Sequence, residues 1–155
     1  MKTFIALIML TSSLCILSTM ATAQEVPPAY DSTLAKQYGA DDYGMKTYVM
    51  AFLKRGPNRD LPKEEADKLQ RAHMDNIGKL AAEGKLMVAG PFYGDGDLRG
   101  IYVFDVETIE EAEALTATDP AIQAGSLEME LLRWYGSAAM NAIPALHEKL
   151  AKINP

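Results

Sequence analysis

The stretch LPKEEADKLQRAHMDNIGKLAAEGKLMVAGP, residues 61–91, decides how the rest of the chain is read. On a helical wheel, at about 100° per residue, Ala66, Leu69, Ile77 and Leu80 fall within roughly 40° of one direction, and His73 points the same way. Lys68, Arg71, Asp75 and Lys79 fall opposite, where Arg71 with Asp75 and Asp75 with Lys79 are spaced for helix-surface ion pairs. Asp60, Pro62, Glu64 and Glu65 make an acidic, capped helix start, and Gly84 makes a stop. Residues 86–89 then form a short apolar run closed by Gly90 and Pro91. The pattern predicts a helix that folds back onto a strand, with an ionisable ring near mid-helix facing the core.

Working outward, residues 47–53 form a β-prone run that is apolar on both alternating faces, and residues 55–60, with Gly56 and Pro57, connect it to the helix. After a strand over 86–92, the Asp-Gly repeat within 93–97 makes a turn and 101–104 a third strand. The repeat lacks the spaced ligands and terminal glutamate of an EF-hand, so it reads as a turn and not as a calcium loop. Thr108 starts a second helix with Glu110, Glu111 and Glu113 in its first turns. Asp119 before Pro120 reads as the cap of a short helix that Gly125 closes. In a fourth strand over 127–135, Leu127, Met129 and Leu131 alternate with Glu128 and Glu130. Residues 137–153 read as helical, with Pro144 starting the second part.

The order strand, helix, strand, strand, helix, strand predicts an α+β domain of the ferredoxin-like βαββαβ type with an antiparallel four-stranded sheet. Two helices cover one face of such a sheet. Residues 48–53 and 101–106 are apolar on both faces, so the other face needs a cover as well. A second copy, giving a homodimeric α+β barrel through the open face, is the economical cover; the C-terminal helix folded across the sheet is the alternative.

The ends of the chain have a different character. Lys2, the apolar stretch 4–17 and the small residues Ala21, Thr22 and Ala23 make a secretory signal peptide over 1–23, too short and interrupted for a membrane span. The expected destination is the periplasm or the medium, after cleavage near Ala23. Residues 24–45, with Pro27, Pro28, Gly39 and Gly44 breaking any period, read as an extended N-terminal arm. Its Tyr30, Tyr38 and Tyr43 could pack on the domain or shape a pocket rim. The domain proper covers 46–136 and a helical extension 137–155. Cys15, the only cysteine, lies in the leader, so the mature chain has no disulfide, thiol nucleophile or thiolate metal site. With Lys+Arg 15 against Asp+Glu 21 and no basic cluster, nucleic acid is an improbable partner.

Glu65, Ala66, Leu69, Gln70, Ala72 and His73 leading into Leu86, Val88, Ala89, Gly90 and Pro91, then the Asp-Gly turn, Gly100, Glu110, Glu111 and Ala112, the run Ala117, Thr118, Asp119, Pro120, and Ala124 with Gly125, resemble the YciI-like (YCII-related) family over nearly all of 46–135. The resemblance leaves out the leader, the arm and the C-terminal helix, so the chain looks like an exported, extended variant. It implies a dimeric α+β barrel with a histidine and aspartate site that maps onto His73 and Asp119. Most of the family has no assigned reaction; a few relatives are dehydrochlorinase-like enzymes of aromatic breakdown.

The chemistry of the two residues fits that implication. Burial disfavours a charged imidazole, whereas a carboxylate within reach favours it, fixes the tautomer and makes a general acid/base. The plain alternative is a core histidine bonded to a backbone carbonyl, with Asp119 only a cap. His147, between exposed-looking neighbours, reads as solvated, and Arg71 as surface. Trp134, Tyr102 and Phe92 have strand spacing and read as core before pocket. No phosphate loop, serine-hydrolase elbow or zinc site is present, and haem on His73 has no further support in the chain. Two functions remain. One is a cofactor-independent lyase or isomerase acting on a small cyclic or aromatic acid, with His73 moving a proton and Asp119 orienting it. The other is a non-catalytic module of the cell envelope that binds a small molecule or a protein.

Overall fold

The computed structural model describes residues 29–153; the expected leader, its cleavage site and the start of the arm lie outside them. The elements run α1 (Ser32–Tyr38), β1 (Met45–Arg55), α2 (Lys63–Ala82), β2 (Leu86–Pro91), β3 (Leu98–Phe104), α3 (Ile109–Thr116), α4 (Pro120–Gln123), β4 (Leu127–Ser137), a 3-10 turn (Ala138–Ala142) and α5 (Ile143–Leu150). The strands form one antiparallel sheet in the order β2-β3-β1-β4, the ferredoxin-like arrangement expected from the sequence. No helix among the described residues is long and apolar enough to cross a membrane.

The central helix runs where the apolar period placed it, but its start differs. Pro62, with φ −54° and ψ 145°, occupies the cap position and offers no side-chain acceptor, and Asp60 stands too far upstream to serve. The helix relies instead on Glu64 and Glu65 against its dipole and on burial of one face. Its end follows the expectation. Gly84 takes φ +67°, a left-handed conformation open to glycine, and Lys85 donates its N–H to the Leu80 carbonyl as the chain reverses into β2. On the outer face Lys63 pairs with Asp67 and Lys68 with Glu64, while Lys79 reaches Glu83 and not Asp75. Such exposed pairs contribute about 0.3–0.5 kcal/mol each, so their exact partners matter little.

The main core lies between helices and sheet. Val49, Ala51 and Leu53 from β1, Tyr102 and Phe104 from β3, and Leu80, Leu86, Val106 and Ala112 are buried together, with Leu127, Met129 and Leu131 packed against them. The reverse face carries a smaller cluster of Tyr48, Met87 and Val103, which Met140 of the 3-10 turn covers. A polar chain fixes that cover: Tyr48 donates to Asn141 Oδ1 at 2.6 Å, Asn141 Nδ2 donates to Asp105 at 2.7 Å, and Asp105 meets Lys46 at 2.5 Å. The C-terminal extension therefore shields one end of the reverse face. Leu132 and Trp134, farther along, keep 49% and 37% of their surface exposed.

The N-terminal arm is not wholly extended. Asp31 accepts the N–H groups of Thr33 and Leu34, and Gly39 ends a seven-residue helix at φ +66°. An aspartate cap and a glycine stop suffice to close a short helix between the two interruptions, which the prolines and glycines had masked as a broken period. The arm then reaches β4, where Tyr135 donates its hydroxyl to Asp41.

Where β1 ends, the chain is sewn to the residues that precede β4. Gly56 N–H bonds to the Ser126 carbonyl at 3.0 Å and Asn58 N–H to the Gly125 carbonyl at 2.9 Å. The Asn58 and Arg59 side chains add bonds to the Ala124 and Ser126 carbonyls, each at 3.0 Å. The backbones are so close that a Cβ on Gly56 would sit 2.2 Å from the Gly125 oxygen. Gly56→Ala is therefore expected to lower stability by about 1–3 kcal/mol, as overpacking does, measured by urea denaturation; an unchanged midpoint would mean that the seam yields freely.

Candidate active site

A helix and a turn bring the two predicted residues together. His73, on the inner stripe of α2, is 8% exposed. Asp119 arrives from the far side of α3, whose start is fixed by a capping box between Thr108 and Glu111 and whose end leads through Thr118 to the aspartate. Asp119 is 1% exposed, and a carboxylate so enclosed needs every acceptor position met. Its Oδ1 accepts the Ala121 N–H at 2.8 Å, which is the cap expected for α4. His73 Nδ1 lies 2.8 Å from Oδ2 and 3.0 Å from Oδ1. Capping and histidine pairing are thus one arrangement, not alternatives.

Since an ionised carboxylate only accepts, Nδ1 carries the hydrogen and donates it to Asp119. That leaves Nε2 as the acceptor of the neutral ring. Tyr102, central in β3, places its hydroxyl 3.3 Å from Nε2, and the rings lie nearly parallel at 6.3 Å between centroids. Burial pushes the Tyr102 hydroxyl well above the ordinary tyrosine range, and the Asp119 charge adds to the effect, so the phenol keeps its proton. Rotating that hydroxyl lets Tyr102 donate to Nε2 when the ring is neutral and accept from it when Nε2 is protonated. The ring is therefore held in one tautomer on one side and partnered in both protonation states on the other.

One turn beyond His73, Asn76 is also buried. Thr118 lies 3.0 Å from its amide oxygen and also donates to the Leu115 carbonyl at 2.7 Å, while the Asn76 Nδ2 has no partner among the described residues. A single hydroxyl hydrogen serves the closer carbonyl better. Exchanging the amide oxygen and nitrogen lets Asn76 donate to Thr118 and leaves its oxygen as the free group. Either way this buried amide keeps one polar atom unmatched beside the histidine.

A cavity of about 250 Å³ opens one helical turn before His73, and neither His73 nor Asp119 is among the residues that line it. Ala66, Leu69 and Gln70 from α2, Arg59 and Leu61 from the seam, Arg99 from β3, and Ala121, Ser126 and Leu127 line it. Leu69 and Gln70 precede His73 by one helical turn, and Ala121 is the residue whose N–H binds Asp119. The walls are more polar than apolar, with Gln70, Ser126 and two cationic groups beside the apolar side chains.

His147 and Arg71 are exposed, as expected, and neither takes part in the site. Tyr102 proves to be a site residue: alternation in β3 places it on the helix-facing side, but only the tertiary fold reveals that His73 lies above it. Arg59 and Arg99 carry no sequence signal, because one lies in a loop and the other beside a turn. Asn76 had one, a polar residue three positions after His73 on the same helix face. Among the described residues no cluster of three histidine, cysteine or acidic side chains could hold a metal.

A family model described as YCII-related domain matches residues 47–135. The uncharacterized protein YjpA of Bacillus subtilis (strain 168) is 32% identical over 62 residues, 40% of this chain and 71% of that protein. Among solved structures, the 5-chloro-2-hydroxyhydroquinone dehydrochlorinase TftG of Burkholderia phenoliruptrix AC1100, in complex with 2,5-dihydroxybenzoquinone, superposes with a TM-score of 0.42 at 22% identity, over 57% of this chain and 93% of that one.

The pairing makes a spectroscopic prediction. In the wild type, ¹⁵N-coupled spectra of the His73 ring are expected to report the Nδ1–H tautomer. Asp119→Asn preserves the cap through its oxygen but turns an amide donor toward Nδ1, so the Nε2–H tautomer should replace it. An identical tautomer in both proteins would show that Asp119 does not set the state of the ring.

Proposed function

The chain belongs to the YCII-related domain family, and on that footing we propose that it is an exported, cofactor-independent lyase or isomerase acting on a small cyclic or aromatic acid. The observation that carries the reading is the buried His73–Asp119 contact, tied to the neighbouring cavity through Ala121, which lines that cavity and donates its N–H to Asp119. In this reading His73 Nε2 takes a proton from a carbon of the bound substrate. Asp119 holds the ring in position and balances the imidazolium that forms, and Tyr102 yields its place at Nε2 to the substrate. The electron pair left on carbon either shifts a double bond, after which the same ring returns the proton elsewhere, or expels a leaving group. No redox step enters, so the residues already present suffice.

We further propose that the working form is a homodimer in which the uncovered part of the sheet meets its own copy. The support is physical. Met50, Val88, Leu132 and Trp134 stand on the reverse face, where Leu132 and Trp134 stay exposed beside the C-terminal turn, and a Lys54–Glu130 ion pair borders them. A two-fold contact between such faces would bury them without a second kind of partner.

Two measurements test these readings. With a panel of small cyclic and aromatic acids in D₂O, the wild type should incorporate deuterium into at least one of them, and His73→Gln should lower that rate by about 10²–10⁴-fold. Equal rates in the variant, or no exchange across the panel, would end the proton-transfer reading. For assembly, sedimentation equilibrium should give a dimer for the wild type and a monomer for Leu132→Glu, which sets like charges face to face. A monomeric wild type would refute the shared sheet.

A further inference from the structure

We propose that Arg59 and Arg99 form a carboxylate-binding subsite at the cavity, one that takes the acid group of a small cyclic compound. Each guanidinium is anchored through one nitrogen to backbone. Arg59 Nη1 donates to the Ser126 carbonyl at 3.0 Å, and Arg99 Nη1 donates to the Gly94 carbonyl at 3.0 Å. Neither arginine meets a carboxylate among the described residues. Arg55, Arg71 and Arg133 also lack an acidic partner among the described residues, so what sets Arg59 and Arg99 apart is that both line one cavity in a chain with a net charge of −6.

Anchoring by carbonyls does two things. It fixes the plane of each guanidinium, so little rotamer freedom remains to be lost on binding. It also leaves the charge uncancelled, because a carbonyl is neutral, and the remaining N–H donors stay available for a forked bond to a carboxylate. Arg55, by contrast, spends its Nε and Nη2 on the Gly96 and Asp95 carbonyls and is absent from the cavity wall. Arg55 and Arg99 thus share the turn over 94–97, Arg99 holding the Gly94 and Gly96 carbonyls through Nη1 alone.

Leu69 and Gln70 lie one turn of α2 before His73, roughly 5.4 Å along the axis. A carboxylate at the arginines would lie in a cavity that Ala66 and Leu69 also line, while Nε2 faces the Tyr102 hydroxyl outside that lining. The assignment rests on the reading of His73 as the proton-transfer group for its account of catalysis, but the carboxylate contact stands on the arginines alone.

The test is a titration of the full chain with benzoate and with benzamide, its neutral counterpart, followed on the methyl signals of Ala66 and Leu69. Benzoate should bind the wild type about tenfold more tightly, the worth of one charge-assisted hydrogen bond. Arg59→Gln and Arg99→Gln should each remove most of that preference. Arg59→Lys and Arg99→Lys, which keep the charge but lose the fork, should retain part of it and guard against a variant that fails to fold. Equal binding of the two probes, no binding of either, or a preference that survives in both glutamine variants would overturn the proposal. Because no proton transfer is read, loss of deuterium exchange with the benzoate preference intact would defeat only the catalytic reading. The converse result would defeat only this one.

Discussion

A carboxylate sealed from water is the constraint around which this molecule is arranged. Asp119 is 1% exposed, and removing a charge from solvent is tolerable only when hydrogen bonds replace the lost water. Ala121 supplies one from the backbone and His73 supplies another from a side chain. Those two bonds tie α4 to α2, so the residue that could do chemistry is also one that joins the helical layer together. Breaking such a contact leaves a stranded charge, which explains why site and fold cannot be separated here.

The sheet divides its two surfaces between different duties. The side beneath the helices carries the larger core and, through Tyr102, the floor of the site. The reverse side is shielded at one end by the extension beyond β4, with Met140 as the apolar cover and Asn141 as the polar clasp. Burial and the nearby Asp105 charge push the Tyr48 hydroxyl up to about 12, so it remains a donor to that clasp across the physiological range.

Much of this was legible in the residues. The apolar period of α2 and the alternation in β4 both placed side chains on the correct faces, because 3.6 and 2 are fixed by backbone geometry. His73 could be assigned an inward direction for the same reason. Its pairing with Asp119 could not be derived from spacing, since the two lie 46 positions apart, and it entered through a resemblance. Tyr102, Arg59 and Arg99 were out of reach because their roles depend on which elements meet. Asp31 and Gly39 were visible as cap and stop, but the surrounding prolines and glycines outweighed them in a reading built on periodicity.

The seam between residues 56–59 and 124–126 has a last consequence. Four hydrogen bonds and a contact that excludes even a methyl group join these backbones, and Arg59 projects from them into the cavity wall. An opening framed this way is finished before any guest arrives. For the carboxylate proposed at that wall, the order that binding would demand falls on the incoming molecule.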